Sequence, residues 1–446
     1  LEVRCGSVKS EVRTTGTPFM KMLTARDWTT EITTQDEWTD VQSIGRFREC
    51  ARPLADAPGT EGHLSPVLEA IGDARFVLLG DSTRGTQEFC QFRIDLTKRL
   101  IEEKGFSVVA WAADATSALR TQRYLAGLGS DRSASDSLGD FDHFPNWSFQ
   151  NPYVEEFIEW LRAHNARSDR AVDLLGLDLF DLRASEQIAT ERFAKLDPAL
   201  GLNVRESHGR FDSFGADFHR SGSHPDFGYL ATCHRIVLDH LIEAHAARAV
   251  RWREMAPPSV QRALSRGTAR TPSLLHYDEF LRSGASFWNH RERQLAGSLE
   301  DIREANGKNV KIVVWLQSAQ AGDARATESG DEGRVSLGQL LRQKYSEETF
   351  LLGLTTSEGS LSTAADWGEP ARQRRLSPAA AQTLESLLSR TGIPRFLLRS
   401  EDVHDHPSLF QRQIGAVYRP QTESVSHYAR ARFSEQFDAV VHLDRN

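Results

Sequence analysis

The chain has 446 residues, of which 39% are hydrophobic and 26% charged, with 54 Lys and Arg against 62 Asp and Glu. This is globular composition with enough apolar material for a large core, and a formal net charge of -8 with dispersed basic residues gives no electrostatic footprint for nucleic acid. No run of about 18 apolar residues occurs, so no membrane span is expected. The four cysteines form neither a CxxC nor a Cys/His cluster of zinc spacing, which points to structural thiols in a reduced, cytoplasmic protein with no metal and no cofactor.

Residues 1–45 are polar and weakly periodic and read as an N-terminal arm, with one α/β domain over residues 46–446. Phe76 to Leu79 is a short apolar run ending at Gly80, the pattern of a buried parallel strand. Thr86 to Glu103 places Phe89, Phe92, Leu96 and Leu100 at helical spacing, and Val108 to Trp111 reads as the next strand. Together they make a β-α-β unit of about 35 residues, which suits a right-handed crossover. Tyr153 to His164 is a helix with Val154, Phe157, Ile158 and Leu161 on one face, and a strand is expected over Val172 to Leu177. Residues 228–306 have helical character almost throughout, broken near Pro257-Pro258 and Pro272, so a helical insertion covers about 200–306. Strands are then expected over Val310 to Leu316, Phe350 to Leu354, Phe396 to Leu398, Ile414 to Tyr418 and Phe437 to Leu443. The fold class is α/β: a mainly parallel sheet flanked by helices, with a large helical insertion.

In open α/β sheets the ligand lies beyond the carboxyl ends of the strands. Three segments qualify: Gly80 to Gly85 after the first strand, Ala112 to Asp114 after the second, and Gln317 to Asp323 after the strand that begins at Val310. No Gly-x-Gly-x-x-Gly follows any strand, so no dinucleotide fingerprint is present. His404 and His406 flank Asp405 on an expected loop, a weak metal signal.

These three segments resemble the erythromycin esterase family. Gly80-Asp81-Ser82-Thr83-Arg84-Gly85-Thr86-Gln87-Glu88, followed by Arg93, is similar to the family's Gly-Glu-x-x-His-Gly-x-x-Glu and its helical Arg. Trp315-Leu316-Gln317-Ser318-Ala319-Gln320-Ala321-Gly322-Asp323 resembles the family's Trp-x-His-x-x-His-x-Gly-Asp. Phe144-Pro145-x-Trp147, Trp288-Asn289-x-Arg291-Glu292-Arg293 and Tyr418-Arg419-Pro420 also match, so the resemblance covers roughly residues 45–445. The departures fall at the chemistry. The family Glu is Asp81, a family His is Arg84, a second family Glu is Ala112, and two further His are Gln317 and Gln320.

The resemblance implies hydrolysis by water activated with histidine and carboxylates, but Arg stays protonated and Gln does not titrate. Asp81 is therefore the base or orienter left at the matched positions, with Arg84 as an electrophilic clamp and His290 as a relocated base to consider. Arg93, Trp111, Asp114, Trp147, Gln317 and Gln320 are the expected substrate contacts. The expected activity is a non-hydrolytic step, a cyclisation, elimination or isomerisation, on a bulky polyketide- or terpenoid-like small molecule of secondary metabolism. A noncatalytic small-molecule binder and an esterase with a relocated base are the alternatives.

Overall fold

The apolar runs assemble side by side. The computed structural model describes residues 40–54, 64–142, 146–178, 284–366 and 369–445. Its strands are β1 (Arg52–Pro53), β2 (Phe76–Asp81), β3 (Val108–Asp114), β4 (Asp173–Asp178), β5 (Ile312–Gln317), β6 (Thr349–Thr363), β7 (Arg372–Leu376), β8 (Arg395–Arg399), β9 (Leu409–Arg412), β10 (Tyr428–Ala431) and β11 (Ala439–Arg445). The main sheet has the order β1-β8-β11-β6-β2-β5-β3-β4, with β7 paired to β6. Its centre, from β11 to β4, is parallel, and only β1, β8 and β7 run antiparallel to their neighbours. The expected α/β architecture is therefore the observed one.

Side chains alternate across the sheet, and β2 shows how this splits the core. Val77 and Leu79 pack with Trp111, Trp315 and Phe157 on one face. Phe76 and Leu78 pack with Ile312, Val314 and Phe396 on the other. Helix α1 (Asp40–Cys50) buries Phe47 in the second layer and Ser43 against His406. It runs through residue 45, where the sequence places the end of the arm. Helices α2 (Gln87–Lys104), α3 (Ala115–Leu125) and α4 (Pro152–Arg167) follow, and α2 ends at Gly105 in the left-handed conformation as a helix C-terminus prefers. Of the expected helical insertion, α5 (Gly284–Asn306) is described, and the remainder lies outside the described residues. Two short helices follow β5: α6 (Ser318–Ala321) packs on β2, β5 and β6, and α7 (Leu337–Lys344) packs on α5, α6 and β6.

Two expectations change. Ile414 to Tyr418 is not a strand: it crosses beyond the ends of two strands and meets each once, through the Thr83–Ile414 and Ala364–Val417 bridges. Conversely, β6 extends nine residues past Leu354 through Thr- and Ser-rich sequence, and its far end pairs with β7.

The loop after β2 is fixed by close backbone approaches. A Cβ on Gly80 would lie 2.6 Å from Ala321 Cβ, because α6 rests directly on that strand end. Gly85 has φ +82° and its carbonyl accepts from Ser362 N at 3.0 Å, while a Cβ there would fall 1.9 Å from Ser362 O. Gly85 therefore satisfies both a left-handed backbone and a close approach. Gly85→Ala is expected to lower stability by more than about 1 kcal/mol, read as a drop in the urea midpoint at unchanged slope. An unaltered midpoint would show that the loop does not depend on this contact.

Candidate active site

The parallel strands place Asp81, at the end of β2, directly opposite Gln317 at the end of β5. Two cavities of about 430 and 220 Å³ share Asp81 in their walls. The larger runs between Asp81, Arg84, Arg93, Ala112, Trp147 and Tyr153. The smaller is bounded by Asp81, Ser82, Gln317, Ser318, Gln413 and Gln436.

Arg93 projects from α2 and binds three groups at the strand ends. Its Nη1 pairs with Asp81 Oδ2 at 2.9 Å, and its Nη2 donates to Leu79 O at 2.9 Å and also to Leu316 O. The guanidinium thus holds one carboxylate oxygen and ties β2 to β5. Asp81 Oδ1 is buried and has no hydrogen-bond partner among the described residues. Buried carboxylate oxygens are nearly always hydrogen-bonded, so this oxygen stands out in the site.

Arg84 is also buried, and its backbone N–H donates to Ile414 O at 2.9 Å. Burial pulls its guanidinium below the ordinary value, Asp81 opposes that shift, and Arg291 and Arg93 add to it. The side chain is a cationic donor in the wall of the larger cavity. Trp147 borders the same cavity, with its Nε1 buried and unpartnered among the described residues.

A second set of charges lies behind the loop that follows β5. Gln320 Nε2 donates to Glu292 Oε1 at 2.8 Å, and Leu337 N donates to Glu292 Oε2 at 2.9 Å. Arg291, beside it on α5, donates Nε to Asp178 Oδ2 at 2.9 Å. Burial pushes the Glu292 carboxyl up to about 7, against the lowering effects of Arg291, Gln320 and the Leu337 N–H. Glu292 does not border either cavity; it positions Gln320 and through it α6.

Of the residues singled out from the sequence, Asp81, Arg84, Arg93 and Trp147 border the larger cavity, and Asp81 and Gln317 the smaller. Gln320 borders neither and is bonded to Glu292. Trp111 is fully buried, stacked on Phe149 at 4.8 Å, so packing replaces the ligand contact expected of it. Asp114 is likewise buried away from both cavities and caps the start of α3, accepting from Ser117 N at 3.1 Å. His290 lies on α5, and its side chain is outside what the structure describes. His406 bonds Ser43 and Pro407 O, and among the described residues no group of three His, Cys, Asp or Glu could hold a metal ion. No helix of the described residues is long and apolar enough to cross a membrane. Sequence reasoning missed Ser82, Glu292 and Gln436 as site residues. Glu292 had a signal, because it lies within the Trp288 to Arg293 segment that carries the resemblance.

A parallel α/β sheet with cavities at the carboxyl ends of β2 and β5 defines an open-sheet α/β protein. The chain belongs to the erythromycin esterase family, whose model, described as Erythromycin esterase, matches residues 101–446. It is similar to Putative hydrolase YbfO of Bacillus subtilis (strain 168), 18% identical over 417 residues, which span 88% of this chain and 89% of that one. A shorter stretch of 115 residues, 26% of each chain, is 28% identical to Erythromycin esterase type II of Escherichia coli. The fold matches a crystal structure of a succinoglycan biosynthesis protein with a TM-score of 0.66 at 19% identity, over 93% of this chain and 98% of that one.

The Glu292 shift has a sign that can be tested. Its folded value of about 7 lies above the ordinary 4.5, so its proton stabilises the fold fully below pH 4.5, and that stability is lost as pH rises through 7. The loss is on the order of 3 kcal/mol at most. Urea titrations from pH 4.5 to 8 should show a steeper fall for the wild type than for Glu292→Gln. Parallel profiles would remove Glu292 as the titrating group.

Proposed function

We propose that the chain is an enzyme acting on a small molecule by proton transfer at Asp81, in a non-hydrolytic step of secondary metabolism. The single observation that carries this reading is the Asp81 carboxylate, tied by Arg93 through Oδ2 with Oδ1 buried and unpartnered where the two cavities share a wall. Arg93 keeps that carboxylate oriented and compensates its charge. In the proposed step Oδ1 takes a proton from carbon next to a carbonyl. The C–H electron pair moves onto the carbonyl oxygen, and Arg84 stabilises the oxyanion. Collapse of that enolate then either returns the proton from Asp81 to a different carbon of the conjugated system, an isomerisation, or expels a leaving group that departs with the proton from Asp81, an elimination. Addition of the enolate carbon to a second carbonyl in the same molecule, whose π pair moves to oxygen and takes the proton from Asp81, gives cyclisation.

The substitutions support this direction. The positions that match the family's water-activating groups are Arg84, Ala112, Gln317 and Gln320, and none of these side chains serves as a base near neutral pH. The larger cavity combines Trp147, Phe149 and Tyr153 with polar groups, which suits a bulky, partly apolar substrate. Hydrolysis by Asp81 is the second reading, favoured by the name of the Bacillus subtilis relative.

Erythromycin incubated with the protein in ¹⁸O-labelled water separates the two by mass spectrometry. No ring-opened, ¹⁸O-bearing product is expected on multiple turnover, and its accumulation at the rate of a family esterase would establish hydrolysis instead. With a substrate that the wild type converts, Asp81→Asn is expected to abolish turnover. Arg84→Lys should reduce kcat by about 10²-fold or more, the scale for losing one oxyanion donor. Near-wild-type rates for both variants would exclude this mechanism.

A further inference from the structure

Three residues that border the smaller cavity each carry a buried polar atom without a partner among the described residues: Asp81 Oδ1, Ser82 Oγ and Gln436 Oε1. The residues that carry them are 7%, 4% and 1% exposed, so water does not reach these side chains freely. Their positions are held by backbone hydrogen bonds and close packing. Ser82 N donates to Leu354 O at 3.1 Å, and its carbonyl accepts from Ile414 N at 2.7 Å. The Gln436 backbone carbonyl accepts from Asp323 N at 2.8 Å, and its side chain lies against Gly322, where a Cβ would come within 2.5 Å of Gln436 Cγ. Buried, preorganised acceptors without donors penalise the fold, and a ligand that supplies the donors relieves the penalty.

The chemistry of the wall narrows the ligand. Two of the three atoms are carboxylate or amide oxygens, which repel an anion. The Asp81 charge is matched by Arg93 at 2.9 Å, and Arg334 also borders the cavity, so the wall has no net negative charge to draw in an ammonium group. An apolar group would leave all three polar atoms dry. What remains is a neutral donor of several hydrogen bonds, with Gln317, Ser318, Thr327, Ser329 and Gln413 placed around it. A space of about 220 Å³ suits a single ring rather than a chain of them.

We propose that this cavity is a recognition subsite for one hydroxyl-rich ring, a sugar or cyclitol, whose hydroxyls donate to Asp81, Ser82 and Gln436. The proposal rests on the reading of Asp81 as the reactive group, because the ring and the reacting atoms would meet at the same carboxylate. The larger cavity, with its Trp147 and Phe149 surfaces, then takes the apolar body of the same substrate.

Equilibrium binding tests this without turnover. A methyl hexopyranoside, cyclohexanol, methylammonium and acetate are titrated into the full chain at millimolar concentration and followed by saturation-transfer NMR. The hexopyranoside is expected to bind, and the other three to bind at least about tenfold more weakly. Ser82→Ala and Gln436→Met should each weaken the hexopyranoside at least about fivefold, the scale of one lost neutral hydrogen bond. A melting curve for each variant separates loss of affinity from loss of fold, and Ser82→Ala is the smaller change should Gln436→Met not fold. Absence of hexopyranoside binding, equal binding of cyclohexanol, or unchanged affinity in folded Ser82→Ala protein would overturn the proposal. So would a soaked crystal with the ring in the larger cavity. Turnover that survives Asp81→Asn would defeat the catalytic reading while leaving these affinities as measured.

Discussion

The site depends on one buried guanidinium. Arg93 reaches from α2 beneath the carboxyl ends of β2 and β5 and satisfies Leu79 O, Leu316 O and Asp81 Oδ2 at once. Two of these acceptors are main-chain carbonyls of adjacent parallel strands, so the same cation that orients the carboxylate also fixes the strand ends around it. Each charged hydrogen bond is worth about 1.5–3 kcal/mol, and leaving one partner of a buried pair alone costs about 3–5 kcal/mol. The geometry of Asp81 is therefore coupled to the stability of the sheet, and its second oxygen takes no hydrogen bond from the described residues.

Around that anchor the chain keeps the family framework and changes the reactive groups. Where the family has histidines, Gln320 now joins a buried carboxyl, Glu292, which also caps the Leu337 N–H. That exchange turns a titrating position into a fixed amide link between α5, α6 and α7. Arg84 makes the opposite change, placing a permanent cation in the cavity wall. The result separates an anchoring layer behind the loop from the residues that line the cavities in front of it, with Asp81 as the carboxylate shared by the two.

Much of the sheet is legible in the sequence because buried parallel strands are short, continuous apolar runs: Phe76 to Leu79 and Val108 to Trp111 needed no further information. Their carboxyl-end loops, with the family resemblance, place Asp81 and Gln317 in one pocket, and the two residues are register partners in the sheet. Direction was not legible. The sequence ends this strand at Trp111, but β3 runs on to Asp114, the register shifts between the two, and both are buried in the core. The polar half of β6 lacks the apolar run that marks a strand; Thr355 and Thr356 are buried because they pair with His442 and Leu443 of β11. Ile414 to Tyr418 has strand composition but finds single bridges rather than a neighbour to pair along. Glu292 looks like one charge in a helical Arg-Glu-Arg run. Its chemistry comes from Gln320 and Leu337, 28 and 45 residues away, and no local pattern reports that distance.

The account turns on the two oxygens of Asp81 having different partners, and a high-resolution crystal structure of the full chain at neutral pH measures this most directly. Oδ2 should pair with Arg93, while Oδ1 contacts ordered water or a bound ligand and no protein donor. A structure in which Oδ1 is taken up by a protein donor, Arg84 included, would contradict the assignment of Asp81 as the reacting group.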